Sequence, residues 1–149
     1  MASKIMRRRL SGAAEYERRY GYSRAVVDDP FIFISGTTGL DHTTLAIEGD
    51  VAQQTRRAWE HIAAVLAQED CRSCDIVRVN CIAVDHAEIE TILRISQDFL
   101  TDKESARDPV SGRPNLAAMS AYAVKQFFHP AMRVAIEATV MWAGRYMRG

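Results

Sequence analysis

The sequence has few cysteines, no long apolar run and no secretory signal. Its 149 residues include three cysteines, Cys71, Cys74 and Cys81, which are too few and too close together for a disulfide framework. Cys71 and Cys74 form a C-x-x-C pair, but no second pair or histidine follows at metal-binding spacing, which disfavours zinc. No apolar run approaches the roughly 20 residues that span a bilayer. We therefore expect a cytoplasmic protein with no metal site and no membrane partner.

An excess of charge of either sign is also absent. Basic and acidic side chains number 19 each, whereas a dedicated nucleic-acid-binding protein usually has a marked basic excess. The balance therefore disfavours nucleic acid as a partner. The charges are nevertheless unevenly spread: seven basic and two acidic groups occupy residues 1–27, six and fifteen occupy 28–104, and six and two occupy 105–149. This distribution favours contacts between the ends and the middle of the chain, or between copies of it.

The N-terminal residues lack apolar periodicity. Residues 1–19, with three consecutive arginines at 7–9, are predicted to form an arm that precedes a single domain at 20–149. Residues 22–28 and 31–35 are then rich in β-branched and aromatic side chains, and the Asp-Pro pair between them is a turn signal. These two segments predict a β-hairpin.

Two amphipathic helices are predicted further along the chain. The first begins at Asp50, after which apolar residues, Trp59 among them, recur at intervals of three and four. The second begins at Asp85, because Asp85 and Glu88 have the spacing of a capping box. Each helix has one apolar stripe, which indicates packing against a sheet.

Three further strands are predicted. Residues 76–84 alternate, with Val77 and Cys81 in the apolar set and Arg78 and Asn80 on the wet side. The last two strands, at 118–124 and 133–142, are separated by a Phe-Phe-His-Pro turn and are read as a hairpin. A long exposed loop at 101–114 precedes them, since that segment is rich in charge and proline.

The predicted order is ββαβαββ, which indicates an α+β fold with two helices on one face of a sheet. The other face of the sheet would need cover. A second copy of the chain could provide it.

Five strings of the sequence resemble the Rid family, also called YjgF, in their order and spacing. They are GYSRAV at 21–26, FIFISGTTG at 31–39, DVAQQTRRAWEHIAAVLAQ at 50–68, DIVRVNCIAVD at 75–85 and RVAIEATV at 133–140. The resemblance covers about residues 20–142. Each motif is modest, but their occurrence together in register is specific.

This resemblance implies a chorismate-mutase-like α+β fold that assembles as a homotrimer, with three ligand clefts between subunits. Members of the best-known branch hydrolyse enamine and imine intermediates, such as 2-aminoacrylate, to 2-oxo acids and ammonia. No metal or organic cofactor takes part. The resemblance therefore implies a small-molecule ligand, a trimeric assembly and no cofactor.

Several cleft positions of the family are kept in this sequence and others are changed. Tyr22, Ser35 and Gly36 match a cleft tyrosine and the Ser-Gly pair that ends the second strand. Thr37 stands where the family has Gln, and Ala135 stands where it has the Glu that helps to position the attacking water. An Asn of the family's second helix falls at Leu93, and Glu137 is the second acid of the family string rather than the first.

The family's arginine, which pairs with the substrate carboxylate, is also replaced. Counting back from Pro130 puts Met119 at its position, and anchoring on Pro114 puts Leu116 there. Neither side chain can bind a carboxylate. Arg113, or Arg107 on the same loop, could supply a cation from a new position, although the alternative is that both are solvated loop residues.

Three functions are compatible with these residues to different degrees. The first is a divergent imine or enamine hydrolase with water as nucleophile, in which the altered cleft predicts a non-standard reaction. The second is a non-catalytic trimer that senses or sequesters a metabolite. The third, nucleic-acid cleavage, is disfavoured by the neutral charge.

His42 and His61 are expected to be exposed, and His86 and His129 are read as surface or turn residues rather than general bases.

Overall fold

The structure is a computed structural model, and it describes residues 7–12, 14–101, 107, 110–113 and 116–142. The elements in these ranges are β1 (Arg8–Leu10), α1 (Glu15–Tyr20), β2 (Ala25–Asp28), β3 (Phe31–Thr37), α2 (Val51–Gln68), β4 (Ile76–Ala83), α3 (Ile89–Leu100), β5 (Ala118–Ala123) and β6 (Val134–Met141). Helices packed on a mixed sheet confirm the α+β class. Much of the predicted loop at 101–114 lies outside the described residues. No described helix is both long and apolar enough to cross a membrane.

The sheet has the strand order β1-β2-β3-β6-β4-β5. Its neighbouring strands are antiparallel except for β4 and β5, which are parallel. Strand β6 therefore lies between β3 and β4, and β5 lies at the edge beyond β4. The predicted hairpin of the last two strands is wrong, because β4 separates them.

The N-terminal residues differ from the predicted arm. Strand β1 pairs with β2 at the sheet edge and α1 follows it, so the observed element order has two elements that ββαβαββ lacks. Arg8 donates to Glu69 at the end of α2 with Nη2 2.6 Å from Oε2, and Arg7 pairs with Asp28 at 2.7 Å. Leu10 is buried in the core. This strand could not be predicted from the sequence, because the carboxylates that pair with its arginines are remote along the chain.

The two long helices cover one face of the sheet. Asp50 and Gln53 form a capping box at the start of α2, which satisfies backbone donors that no helical carbonyl can reach. Trp59 is buried as expected and donates from Nε1 to the Ser96 hydroxyl of α3 at 2.9 Å. The Trp59 ring stacks on Phe99 with centroids 4.5 Å apart. One hydrogen bond and one ring contact thus join α2 to α3.

The start of α3 differs in detail from the predicted capping box. The Asp85 side chain accepts from the backbone N–H of Ala87, in a 3₁₀ turn at His86–Glu88 that precedes the helix. The Glu88 side chain does not complete the box. It accepts a hydrogen bond from Arg133, just before β6. The predicted second half of the box is therefore wrong, and Glu88 instead links α3 to β6.

A buried glutamine also fixes the start of β6. Gln54 of α2 donates from Nε2 to the carbonyls of Gly49 at 3.1 Å and Ala131 at 3.0 Å. Its Oε1 accepts from the backbone N–H of Arg133 at 2.9 Å. Because all these partners are backbone groups, Gln54 links α2 to the segment that leads into the central strand.

The opposite face of the sheet, which we call the outer face, is not covered by α2 or α3. Along β6, the residues at 134, 136, 138 and 140 are buried beneath the helices, whereas Glu137 and Thr139 point to the other side and are only half-buried. The large apolar side chains that this face exposes include Phe31, Phe33 and Met141. Val77 is also exposed, contrary to its predicted place in the apolar set, because a register shift between Ile76 and Arg78 interrupts the alternation.

The prediction that His42 and His61 are exposed is wrong. Both are half-buried, and their rings stack with centroids 4.0 Å apart and planes 11° from parallel. The Nε2 atom of His61 lies 2.8 Å from the Leu40 carbonyl, to which it donates. Burial lowers the pKa of both histidines, and the nearby cation of Arg24 lowers both further. The loop after β3 is held to α2 through this neutral pair.

We expect the Ser96→Ala variant to lose about 1–3 kcal/mol of unfolding free energy, because the buried Trp59 N–H would lose its acceptor. Urea denaturation at pH 7.5 measures this loss. Gln97→Ala, an exposed change in the same helix, should shift stability by no more than about 0.5 kcal/mol. Equal losses in the two variants would contradict the role given to the hydrogen bond.

We also expect stability to fall as the pH drops below about 6.5, the ordinary histidine pKa. In the folded state the pKa values of His42 and His61 are lowered, so the unfolded chain binds protons first. Their contribution is complete above pH 6.5 and is lost as the pH falls towards the folded-state values. Urea midpoints between pH 7.5 and 5 should decline less in a His42→Gln, His61→Gln double variant than in wild type. The exposed His86→Gln variant should keep the wild-type slope.

Candidate functional site

The site is centred on a β-bulge at the end of β3. Ile34 pairs with Ala138 of β6 and Thr37 pairs with Ile136, so two residues of β3 stand opposite the single residue Glu137. These two residues are Ser35 and Gly36. A bulge bends its strand and changes the direction of its side chains, which opens the sheet locally at this point.

Polar contacts hold the bulge in place. The Ser35 hydroxyl donates to the Ser23 carbonyl at 2.6 Å. Arg24 is only 6% exposed and donates from Nη2 to the carbonyls of Ser35 at 3.1 Å and Gly36 at 2.9 Å. Its Nε has no hydrogen-bond partner among the described residues, and burial lowers its pKa from the usual value. A buried cation thus lies behind the bulge and orients its two peptide groups.

Glycine at position 36 is not demanded by the backbone. Its φ is not in the left-handed region, and an added Cβ would meet no atom within 4 Å. Open space therefore lies directly over this residue.

An aromatic cavity of about 580 Å³ lies on one side of the bulge and is lined by Tyr20, Tyr22, Ser35, Gly36 and Phe128. The rings of Tyr20 and Phe128 have centroids 6.0 Å apart and meet edge to face. Burial raises the pKa of Tyr22, so its phenol stays protonated at neutral pH and can donate a hydrogen bond. This cavity can accept the apolar part of a small ligand.

A polar cavity of about 250 Å³ lies on the outer face and is also lined by Ser35 and Gly36. Arg78 and Asn80 of β4 and Glu137 of β6 supply its charged and amide groups. Asn80 donates from Nδ2 to Glu137 Oε2 at 3.1 Å, while its buried Oδ1 has no partner among the described residues. The bulge residues therefore form part of the wall of both an aromatic cavity and a polar one.

The predicted site residues are only partly brought together. Tyr22, Ser35 and Gly36 line one cavity, as expected of a common cleft. Thr37 follows them but is fully buried, and its hydroxyl donates to the Ser35 carbonyl at 2.8 Å. Thr37 can thus support the bulge, but it presents no surface to a ligand.

Three other predicted positions lie elsewhere. Ala135 is buried on β6 opposite Ile82. Met119 is on β5, three strand spacings or about 14 Å from β3. Arg113 is exposed on the loop before β5, and its backbone N–H donates to Ser111 at 3.3 Å. Within one chain, none of the three reaches the cavity beside Tyr22.

The replacement cations proposed from the sequence lie on the surface. Arg107 is exposed and donates to the Gly112 carbonyl at 3.0 Å, and Leu116 is exposed on the same loop. His129 accepts at Nδ1 from the Ala131 N–H at 3.1 Å, which agrees with a turn residue. In the described part of the chain, no cluster of three or more His, Cys, Asp or Glu side chains could hold a metal ion.

Sequence patterns do not reveal the buried Arg24, and they do not place Arg78, Asn80 and Glu137 in the site. The alternation of β4 had marked Arg78 and Asn80 as a wet side, which was the available signal. The alternation of β4 does not show which strand pairs with Arg78 and Asn80. Only the placement of β6 beside β4 puts Glu137 next to Asn80.

Comparison with known proteins identifies the family. The endoribonuclease L-PSP family matches residues 13–142. Human 2-iminobutanoate/2-iminopropanoate deaminase is 26% identical over 106 residues, which cover 70% of this chain and 77% of the human protein. The RutC family protein PYRAB12510 of Pyrococcus abyssi is 29% identical over 87 residues, covering 58% of this chain and 68% of that protein.

Solved structures agree with this assignment. Rv2704 of Mycobacterium tuberculosis, a member of the YjgF/YER057c/UK114 family, superposes with a TM-score of 0.71 and 28% identity, covering 92% of this chain and all of that one. The YjgF gene product of E. coli has the same fold, with a TM-score of 0.71 and 21% identity over 93% of this chain and 98% of its own. The resemblance predicted from the five sequence strings is confirmed: this chain belongs to the endoribonuclease L-PSP family, also known as the YjgF or Rid family.

Proposed function

We propose that this protein is a homotrimer that binds a small imino acid in clefts between subunits and hydrolyses it to a 2-oxo acid and ammonia. The observation that carries the proposal is the bulge at Ser35 and Gly36, two residues that line both an aromatic cavity and a polar one. Relatives that share this chain's family are named imine deaminases. In the reaction, water adds to the C=N carbon, and the nitrogen leaves as ammonia after proton transfer.

The residues of the bulge suit this chemistry in part. Tyr22 is a protonated donor at the cavity wall, and it can donate a hydrogen bond to the attacking water. Arg24 holds the carbonyls of Ser35 and Gly36. Since a trans peptide is planar, the N–H groups of Gly36 and Thr37 point away from Arg24. Besides Arg24, Arg113 on its exposed loop is a candidate cation of the proposed ligand cleft.

Two features support a cleft that is completed by another copy of the chain. The two long helices cover one face of the sheet, and the opposite, outer face exposes Phe33, which is 48% accessible. Exposed apolar patches of this kind mark association surfaces. In addition, Met119 lies about 14 Å from the bulge strand of its own chain, so a cleft that includes Met119 and Tyr22 needs two subunits.

A non-catalytic trimer that binds a metabolite is the second candidate. The specific observation in its favour is that Ala135 carries no ionisable group where the resemblance implies a Glu, and neither Met119 nor Leu116 carries one where it implies an Arg. Such a cleft would retain shape and hydrogen bonding but lose its usual means of activating water.

Imine hydrolysis can be measured with 2-iminobutanoate generated from L-2-aminobutanoate by an amino-acid oxidase, with semicarbazide trapping the imine that survives. We expect micromolar protein to lower semicarbazone formation, and Tyr22→Phe to reduce this effect at least about tenfold through loss of a donor. Tyr16→Phe is the matched control, since Tyr16 does not line the cavity. No effect of the wild-type protein, together with binding of 2-oxobutanoate, would instead favour the non-catalytic trimer.

Light scattering should give a mass about three times the 16.7 kDa of the chain. Phe33→Glu should shift this mass towards the monomer, because association would bury an unpaired carboxylate. Val110→Glu adds the same charge at an exposed loop position and should leave the trimer intact. A monomeric wild-type protein at working concentration would refute the cleft between subunits.

A further inference from the structure

The polar cavity contains opposite charges that are close but not paired. Arg78 and Asn80 occupy alternate positions of β4, and β6 places Thr139 beside Arg78 and Glu137 beside Asn80. Arg78 and Glu137 are therefore diagonal neighbours, which in a sheet lie about 7–8 Å apart. Within the described residues, Arg78 takes part in no hydrogen bond or ion pair that meets usual distances, and Glu137 has only the bond from Asn80.

The amide of Asn80 determines which groups this cavity can accept. Its Nδ2 is used by the Glu137 carboxylate, but its Oδ1 is buried and has no donor among the described residues. A buried acceptor without a donor is costly. A ligand that brought N–H groups between Oδ1 and the carboxylate would satisfy both acceptors at once.

Arg78 supplies the complementary half of the site. A guanidinium presents its donors in a planar fork that matches a carboxylate in a bidentate manner. An exposed arginine is ordinarily a solvated surface residue. Arg78 differs because it lines a cavity with Glu137 and with the bulge residues Ser35 and Gly36.

We propose that Arg78, Asn80 and Glu137 form a recognition site for a zwitterion, namely an α-imino or α-amino acid. Arg78 binds the ligand carboxylate, and the protonated nitrogen donates to Glu137 and to Asn80 Oδ1. This inference rests on the proposed function and assigns the residues that bind the two charges of its ligand, which enters with a positive nitrogen beside a negative carboxyl group.

The position of the bulge gives the ligand a direction. Ser35 and Gly36 line both cavities, and nothing stands over Gly36 within 4 Å of an added Cβ. A ligand whose charged end lies between Arg78 and Glu137 can therefore extend its apolar side chain past Gly36. The rings of Tyr22 and Phe128 then line the cavity that receives it.

The test compares three probes that carry different charges: L-2-aminobutanoate has both charges, 2-oxobutanoate has only the carboxylate, and L-2-aminobutanamide has only the ammonium. Calorimetric titration measures Kd for each probe. We expect Arg78→Gln to weaken the two carboxylate probes about tenfold or more and to leave the amide unchanged. Glu137→Gln should weaken the two amine probes to the same degree and leave 2-oxobutanoate unchanged.

Matched controls separate recognition from loss of structure. Arg56→Gln and Glu60→Gln remove the same charges from exposed positions of α2 and should leave all three Kd values within about twofold. Each site variant also has one probe that it should still bind at wild-type strength, which reports on the folded cavity. Uniform weakening of all probes by either variant, or no weakening by both, would overturn the site.

The outcomes also distinguish this inference from the proposed hydrolysis. If the wild-type protein hydrolyses 2-iminobutanoate while Arg78→Gln and Glu137→Gln keep its KM and the probe Kd values, the zwitterion site is wrong and the hydrolysis stands. If the crossed binding pattern is found without hydrolysis, the site stands and the enzyme proposal fails. Failure of the wild-type protein to bind any of the three probes overturns the site.

Discussion

The pairing of β6 with β3 on one side and β4 on the other is the constraint on which the candidate site depends. It places Glu137 opposite the bulge of β3 and beside Asn80 of β4. Gln54 and Glu88 reach from α2 and the turn before α3 to the segment that leads into β6. The helix layer thus holds one end of the strand that carries the acid, and the two neighbouring strands fix its register along the rest of its length.

Elements whose information is local could be predicted from the sequence. The Asp-Pro turn and the β-branched runs around it predict β2 and β3, and the apolar stripe after Asp50 predicts α2. The buried places of Trp59 and Cys81 follow from the same periodicities. In each case the pattern and the structure share a short stretch of chain, so no distant partner is needed to interpret it.

Features that depend on distant partners could not be predicted in this way. The arginines of β1 read as a solvated arm because Glu69 lies 61 residues away from Arg8. The last two strands read as a hairpin because nothing local shows that β6 belongs between β3 and β4. The stacking of His42 on His61 brings a loop onto a helix. For the site, Tyr22, Ser35 and Gly36 followed from family resemblance, whereas Arg24 and Arg78 required the tertiary arrangement.

The net charge of zero conceals local charges with clear roles. Arg24 is buried behind the bulge and is used by backbone carbonyls. Arg78 and Glu137 face one cavity without neutralising each other directly. Charges of both signs therefore occur close to the same bulge.

The open space above Gly36 separates the ligand range of the cleft from the stability of the fold. A methyl group there would displace no described atom, so the position is free of the packing demands that constrain a core residue. It nevertheless lines both the aromatic and the polar cavity, so a side chain added there would change the shape of both. The shape of the two cavities can thus be altered at position 36 without disturbing the packed core, so no compensating substitution in the core is needed.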